Sequence, residues 1–209
     1  VFAAFLKFGL KIAGVACRCR FSGLFAAWPA RKMKGMLPNL ETRGVRCAVL
    51  SIADTRTPES DESGRFIQAR LLEAGHVVAD YRIIHDEPAE LRKHLARLAE
   101  KGDVQAVIAN GGTGITPEDQ TFDALEALLE KRLDGFGEIF RYLAYKELGP
   151  SAVLMRATAG VYQGLVIIGL PGAPQCVRLA LEKLVLPELA PMAALVRKVR
   201  ASPHRTGVH

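Results

Sequence analysis

From residue 44 onward, short unbroken apolar runs alternate with segments whose apolar residues recur at helical spacing. Residues 45–53 form a nearly continuous apolar run, as a strand buried on both faces requires. A polar turn from Asp54 to Ser63 leads to a predicted helix over 64–74, with Phe66, Ile67, Ala69, Leu71 and Leu72 on one broad face and Gly75 as its stop. Residues 77–84 read as a second strand, and 87–101 as an amphipathic helix striped by Leu91, Leu95 and Leu98. A third strand over 104–109 runs straight into Gly111-Gly112-Thr113-Gly114. Helices are predicted over 121–132, using Phe122, Leu125, Leu128 and Leu129, over the aromatic-rich stretch 135–145, and briefly near 150–156. A strand over 165–170 precedes C-terminal helices over 175–185 and 187–199. This alternation predicts an α/β fold of three layers: a mostly parallel, doubly wound sheet with helices on both faces.

Neither a repeat nor a linker divides 44–200, which reads as one domain between an extension over 1–43 and a tail over 201–209. A chain of 209 residues with a 49% hydrophobic fraction buries one good core. The net charge of +6 comes from the extension: residues 1–35 hold seven basic residues and no acid, leaving 21 basic against 22 acidic elsewhere. A nucleic-acid footprint belongs on the folded domain, so this distribution argues against one. Lysines interrupt the apolar start too often for a spanning helix, and it lacks the charged front and clean apolar core of a signal peptide. An amphipathic surface helix, an acid-free transit segment and residues upstream of a true start at Met33 or Met36 stay open as readings; in each, the segment is expected to be poorly ordered. Cys17, Cys19, Cys47 and Cys176 fit no zinc or CxxC spacing. Cys47 and Cys176 sit in apolar surroundings as core residues, and a reducing, cytoplasmic setting follows.

The chemistry concentrates where the strands end. Glycines at 111, 112 and 114 let backbone N–H groups approach an anion, the following helix adds a positive dipole end, and Asp119 lies a turn later. Strand, glycine loop and carboxylate together read as a place to hold a phosphate beside a metal ion. The loop is neither a GxGxxG fingerprint nor a GxxxxGK[ST] loop, so alone it is also consistent with a tight turn. Ligands of open parallel sheets sit beyond the strands' carboxyl ends. Asp54, Asp86, the stretch from Gly111 to Asp119, and Pro171-Gly172 all meet that condition. For Asp86 the plain alternative is a cap on the helix opening at Glu87-Pro88, and Ser63 is likewise a plausible cap.

Residues 48–56, Ser63-Gly64, 109–116, Gly135-Phe-Gly-Glu-Ile-Phe-Arg141, Arg156-Ala-Thr-Ala-Gly160 and Leu170-Pro-Gly-Ala-Pro174, in that order, resemble the MoaB/Mog family of molybdenum cofactor biosynthesis proteins, with the MoaB branch nearest. The resemblance spans about residues 45 to 198. It implies a molybdopterin-binding-domain fold and an adenylyltransferase that moves AMP from Mg-ATP onto the terminal phosphate of molybdopterin. On that resemblance Gly111, Gly112, Thr113 and Gly114 hold the phosphate, and Thr116, Asp54, Ser63, Gly64, Pro171 and Gly172 complete the binding site. Asp86 and Asp119 become the catalytic residues and the Mg²⁺ ligands. A homotrimer or homohexamer touching through 135–145, dealings with other molybdenum cofactor biosynthesis proteins, and no membrane or nucleic-acid partner also follow. Two positions depart from the pattern: Ala53 replaces a common Ser, and Glu118 stands where active members often carry Arg, which weakens ATP binding through like-charge repulsion. A non-catalytic molybdopterin-binding carrier or scaffold is therefore the alternative. A domain like that of the competence-damage proteins is a further rival, opposed by the short C-terminus.

Overall fold

The computed structural model describes residues 44–117 and 119–201. The expected alternation is present: β1 (Arg46–Ile52), α1 (Glu62–Glu73), β2 (Val77–Ile84), α2 (Pro88–Lys101), β3 (Ala106–Gly111) and α3 (Thr121–Leu128). A two-residue β4 (Lys131–Arg132) follows, then α4 (Asp134–Leu148) and a 3₁₀ segment, Gly149–Leu154. The chain continues through β5 (Thr158–Tyr162), β6 (Leu165–Leu170), α5 (Pro174–Ala180), a π-helical stretch Leu181–Val185, and α6 (Leu186–Ala201). Six strands form one sheet in the order β2-β1-β3-β6-β5-β4. The first four are mutually parallel, and β5 and β4 extend the sheet antiparallel.

Each central strand is apolar on both faces because each face meets helices. Val49 and Ile108 join Ile67 and Leu71 of α1 and the helices α4 to α6 on one side. Leu50, Ile52 and Val107 join Leu91, Leu95 and Leu98 of α2 and Leu125 of α3 on the other. Cys47 and Cys176 are buried free thiols, as their surroundings implied, and burial pushes the Cys47 pKa up to about 12.

Three local differences from the expected elements have physical causes. Helix α3 stops at Leu128 rather than 132, because Leu129 turns to extended backbone and the chain pairs Lys131 and Arg132 with β5. Strand β5 was not expected; it reverses into β6 through Gln163-Gly164, whose φ values of 45° and 77° suit a two-residue hairpin turn. The C-terminal helices join through the π-helical stretch, where Leu186 N–H donates back to Leu181 O. Pro187 has no N–H to offer Lys183, so α-helical bonding fails at that point.

Adjacent residues of α1 give a direct check on its buried face. Leu71 is fully buried and Leu72 is 59% exposed. Chemical denaturation is expected to show Leu71→Ala costing about 2–5 kcal/mol and Leu72→Ala changing stability by less than about 0.5 kcal/mol.

Candidate functional site

Register brings the strand ends level. Ile52 pairs with Ile84 on one side and Gly111 on the other, while Asn110 pairs with Leu170. Asp54, Asp86, the glycine loop and Pro171-Gly172 therefore emerge side by side from β1, β2, β3 and β6. From β1 the chain moves outward to β2 and then crosses back to β3, so the order reverses between β1 and β3. That reversal is where open α/β sheets place a crevice.

The glycine loop fits only without side chains. Gly111 and Gly112 take φ values of 106° and 60°. A Cβ on Gly112 would lie 3.0 Å from Asp86 Oδ2, and one on Gly114 would overlap the Asp119 carboxylate. The turn thus lies between two carboxylates, Asp86 on one flank and Asp119 on the other. Asp86 N–H donates to Asp54 Oδ1 (3.1 Å), and Asp54 Oδ1 also lies 3.4 Å from His85 Nδ1.

The helix-cap reading of Asp86 takes an unexpected form. Glu87, not Asp86, is the N-cap of α2 and makes no side-chain cap bond. Asp86 Oδ1 instead accepts from Thr121 N (3.1 Å), the first N–H of α3. Phe122 N is taken by Gly112 O at 3.2 Å. The dipole end of α3, expected to help hold an anion, has its two leading N–H groups occupied within the fold. Asp119 Oδ2 accepts from Thr116 Oγ1 (2.6 Å) and Thr116 N (3.0 Å). The Thr116 hydroxyl, followed by the Thr116 and Gly114 N–H groups and the Arg156 charge, holds the Asp119 carboxyl below the usual range against a smaller burial effect. Thr116 therefore serves Asp119 directly. Thr113 and Gly114 present their carbonyls to Arg156.

A buried polar network underlies the other side. Asp61, fully buried, caps α1 by accepting from Gly64 N at 3.0 Å, so Ser63 is not the cap. It also accepts from Ser51 Oγ and from Tyr81 OH (2.8 Å). Burial raises its pKa, but the Ser51, Gly64 and Tyr81 hydrogen bonds and the Arg56 charge outweigh that and leave it lowered. Burial, then the Asp61 contact, pushes Tyr81 up to about 12. Arg56 reaches Asn110 Oδ1 (3.3 Å) and Gly172 O (3.1 Å), and Ser63 Oγ donates to the same Gly172 carbonyl at 2.9 Å. Asn110 Nδ2 in turn donates to Ser51 Oγ at 2.9 Å. Pro171 is buried, and a Cβ on Gly172 would lie 3.1 Å from the Gly111 Cα.

All twelve expected site residues thus fall at one edge of the sheet. Sequence reasoning did not single out Arg56, Asp61, Asn110 or Arg156. Arg56, Asn110 and Arg156 lay within quoted motifs, and that was their only signal. Glu118 lies outside the described residues, as do Cys17, Cys19 and the extension. Two cavities lie elsewhere in the domain, and none of residues 111–114 lines either of them. One, of about 410 Å³, is lined by Phe122, Arg132, Glu138, Arg141 and Arg156 among others. The other, of about 520 Å³, is lined by residues including Asp54, Arg56, Tyr81, His85 and His94. Among the described residues, no three His, Cys, Asp or Glu side chains gather as a metal cage, and no helix is long and apolar enough to cross a membrane.

An open α/β sheet with glycine and carboxylate loops gathered at its switch point is the architecture of a ligand-binding α/β protein. Comparison makes the class specific. The chain belongs to the family described as "Probable molybdopterin binding domain", which matches residues 48–191. Molybdenum cofactor biosynthesis protein B of Bacillus subtilis is 44% identical over 155 residues, covering 74% of this chain and 91% of that protein. A crystal structure of a molybdenum cofactor biosynthesis protein B aligns with TM-score 0.73 at 42% identity, over 75% of this chain and 98% of the other. The tungsten cofactor synthesizing protein MoaB from Pyrococcus furiosus aligns with TM-score 0.66 at 33% identity, over 74% and 98%. A role in molybdenum cofactor biosynthesis follows.

The buried network carries a pH signature. A carboxylate whose folded pKa is depressed contributes stability above its unfolded pKa, about 3.9 for Asp, and loses it as pH falls through the folded value. For Asp61 the stability gap between the native chain and Asp61→Asn, measured by denaturant titration, is expected to be widest at neutral pH. It should narrow steadily below about pH 4. A gap that stays constant down to pH 2 would show that the charge on Asp61 contributes nothing.

Proposed function

We propose that this chain is a molybdopterin adenylyltransferase of the MoaB type, working with Mg-ATP in the cytoplasm. The observation that carries the reading is the glycine-rich turn flanked by Asp86 and Asp119 at the switch point of the sheet. In the reaction, an oxygen of the molybdopterin phosphate attacks the α-phosphorus of ATP. The new P–O bond forms as the bond from that phosphorus to the oxygen bridging to the β-phosphate breaks, and pyrophosphate leaves with the electron pair. The nucleophile is already ionised, so the protein has chiefly to position phosphates and neutralise their charge.

The carboxylates suit a magnesium ion, which takes one or two carboxylates and fills its shell with phosphate oxygens and water. Asp86 commits Oδ1 to Thr121 while Oδ2 lies beside Gly112, and Asp119 commits Oδ2 to Thr116. Each carboxylate thus has a second oxygen to offer, and Asp119 stays ionised at neutral pH. Bound there, Mg²⁺ would supply charge neutralisation on the polyphosphate. The Gly111–Gly114 backbone, with Thr116, Asp54, Ser63, Gly64, Pro171 and Gly172 around it, receives the molybdopterin phosphate. The reading includes a homotrimer or homohexamer acting beside other cofactor biosynthesis proteins, and exposed Ile139, Tyr142 and Tyr145 of α4 offer apolar surface for a subunit contact.

The test is pyrophosphate release by the purified protein given molybdopterin, ATP and Mg²⁺. Release that requires all three supports the enzyme; molybdopterin binding without release would make the chain a carrier or scaffold on the same fold. Asp119→Asn is expected to lower turnover at least about 100-fold, as loss of one electrostatic group in a preorganised site does, while molybdopterin affinity changes little. Unchanged turnover in that variant removes Asp119 from the mechanism.

A further inference from the structure

We propose that Arg156 is a positioning residue for the glycine turn: one guanidinium fixes the direction of the peptides that meet the substrate's phosphate. The inference rests on the phosphate-binding reading above and assigns a role to a side chain outside the expected site.

Arg156 sits just before β5, lines the cavity of about 410 Å³, and reaches the turn from that side. Its Nε donates to Thr113 O at 3.1 Å, and its Nη2 donates to Gly114 O and, at 3.5 Å, to Asp119 O. The far side of the fork is anchored in turn. Nη1 donates to Asp123 Oδ1 at 2.8 Å, and the guanidinium lies 4.6 Å from the centre of the Phe122 ring. Both anchors belong to the first turn of α3.

Peptide planarity converts these contacts into a direction. In a trans peptide the N–H points opposite to the C=O. Drawing the Thr113 carbonyl toward Arg156 therefore sends the Gly114 N–H the other way, where it helps hold the Asp119 carboxyl below its usual range. Drawing in the Gly114 carbonyl turns the Ile115 N–H outward as well. The Gly114 N–H is taken by Asp119, so of these two peptides the Ile115 N–H is the one left for an incoming anion, and neither carbonyl turns its lone pairs toward it. Glycines sample many conformations unaided, so the rigid fork selects one. A lysine could supply the charge but not three parallel-held donors. Arg156 thereby orders both the cradle and the neighbouring carboxylate without touching the reacting atoms.

The experiment compares the full chain with Arg156→Lys, Arg156→Ala and Asp123→Asn, after thermal melting confirms that each folds. Two quantities are read: affinity for molybdopterin against dephosphorylated molybdopterin, and hydrogen exchange of the Gly114 and Ile115 amides by NMR. Both Arg156 variants are expected to bind molybdopterin about tenfold or more weakly, the loss of a charge-assisted contact, with dephosphorylated molybdopterin binding unchanged. Exchange at both amides should quicken about tenfold or more as the turn loosens, and Asp123→Asn should shift both quantities less. Equal losses for the two ligands would mean a merely structural role and overturn the proposal, as would unchanged exchange at both amides. If the native chain binds no molybdopterin, the functional reading fails on that arm, while the amide exchange still decides whether Arg156 sets the turn.

Discussion

The site depends on one steric constraint: four parallel strands end at the same level, and their loops meet more closely than side chains permit. Parallel register puts Ile84, Ile52 and Gly111 in one row with Leu170 alongside Asn110. A Cβ at Gly111 would collide with the Ile52 carbonyl, and Gly172 packs against Gly111 itself. Because backbone lies on backbone here, the polar groups of these loops must find partners within the fold. Arg56 does this for β6 and β3 at once, through the Gly172 carbonyl and Asn110. Asp61 ties that arginine to β1 and β2 through Ser51 and Tyr81.

The carboxylates follow from the same crowding. Asp86 reaches from the end of β2 past β1 to the start of α3, so it fastens that helix while its second oxygen stays at the turn. Asp119 is bound within its own loop by Thr116. One carboxylate is thus fixed by a long-range contact and the other by a local one. The two frames meet at Arg156, which ties the turn to α3.

Much of this was legible in the chain. The buried strands of the parallel half announced themselves as unbroken apolar runs, and the rule that ligands sit beyond carboxyl ends singled out Asp54, Asp86, the glycine loop and Pro171-Gly172. Strand β5 escaped notice because it is only five residues long and turns through Gln163-Gly164, which lacks the usual Asn-Gly or Asp-Gly signature. Asp61 escaped notice because it stands among Glu59, Ser60, Glu62 and Ser63, any of which could face water; only folding selects the one that is buried. The dipole of α3 misled in the other direction. Nothing in the spacing of Asp86 and Thr121, 35 residues apart, reveals that one satisfies the other.

A cradle made of main chain has a bearing on how such proteins diversify. Point mutation replaces side chains, and at Gly111 any Cβ would run into the Ile52 carbonyl, which is main chain and cannot step aside. That part of the loop is therefore closed to gradual retuning. Cavity walls are not bound in this way: Arg132, Glu138 and Arg141 line one cavity and His94 the other. Descendants of this fold can vary those walls while inheriting the turn itself unaltered.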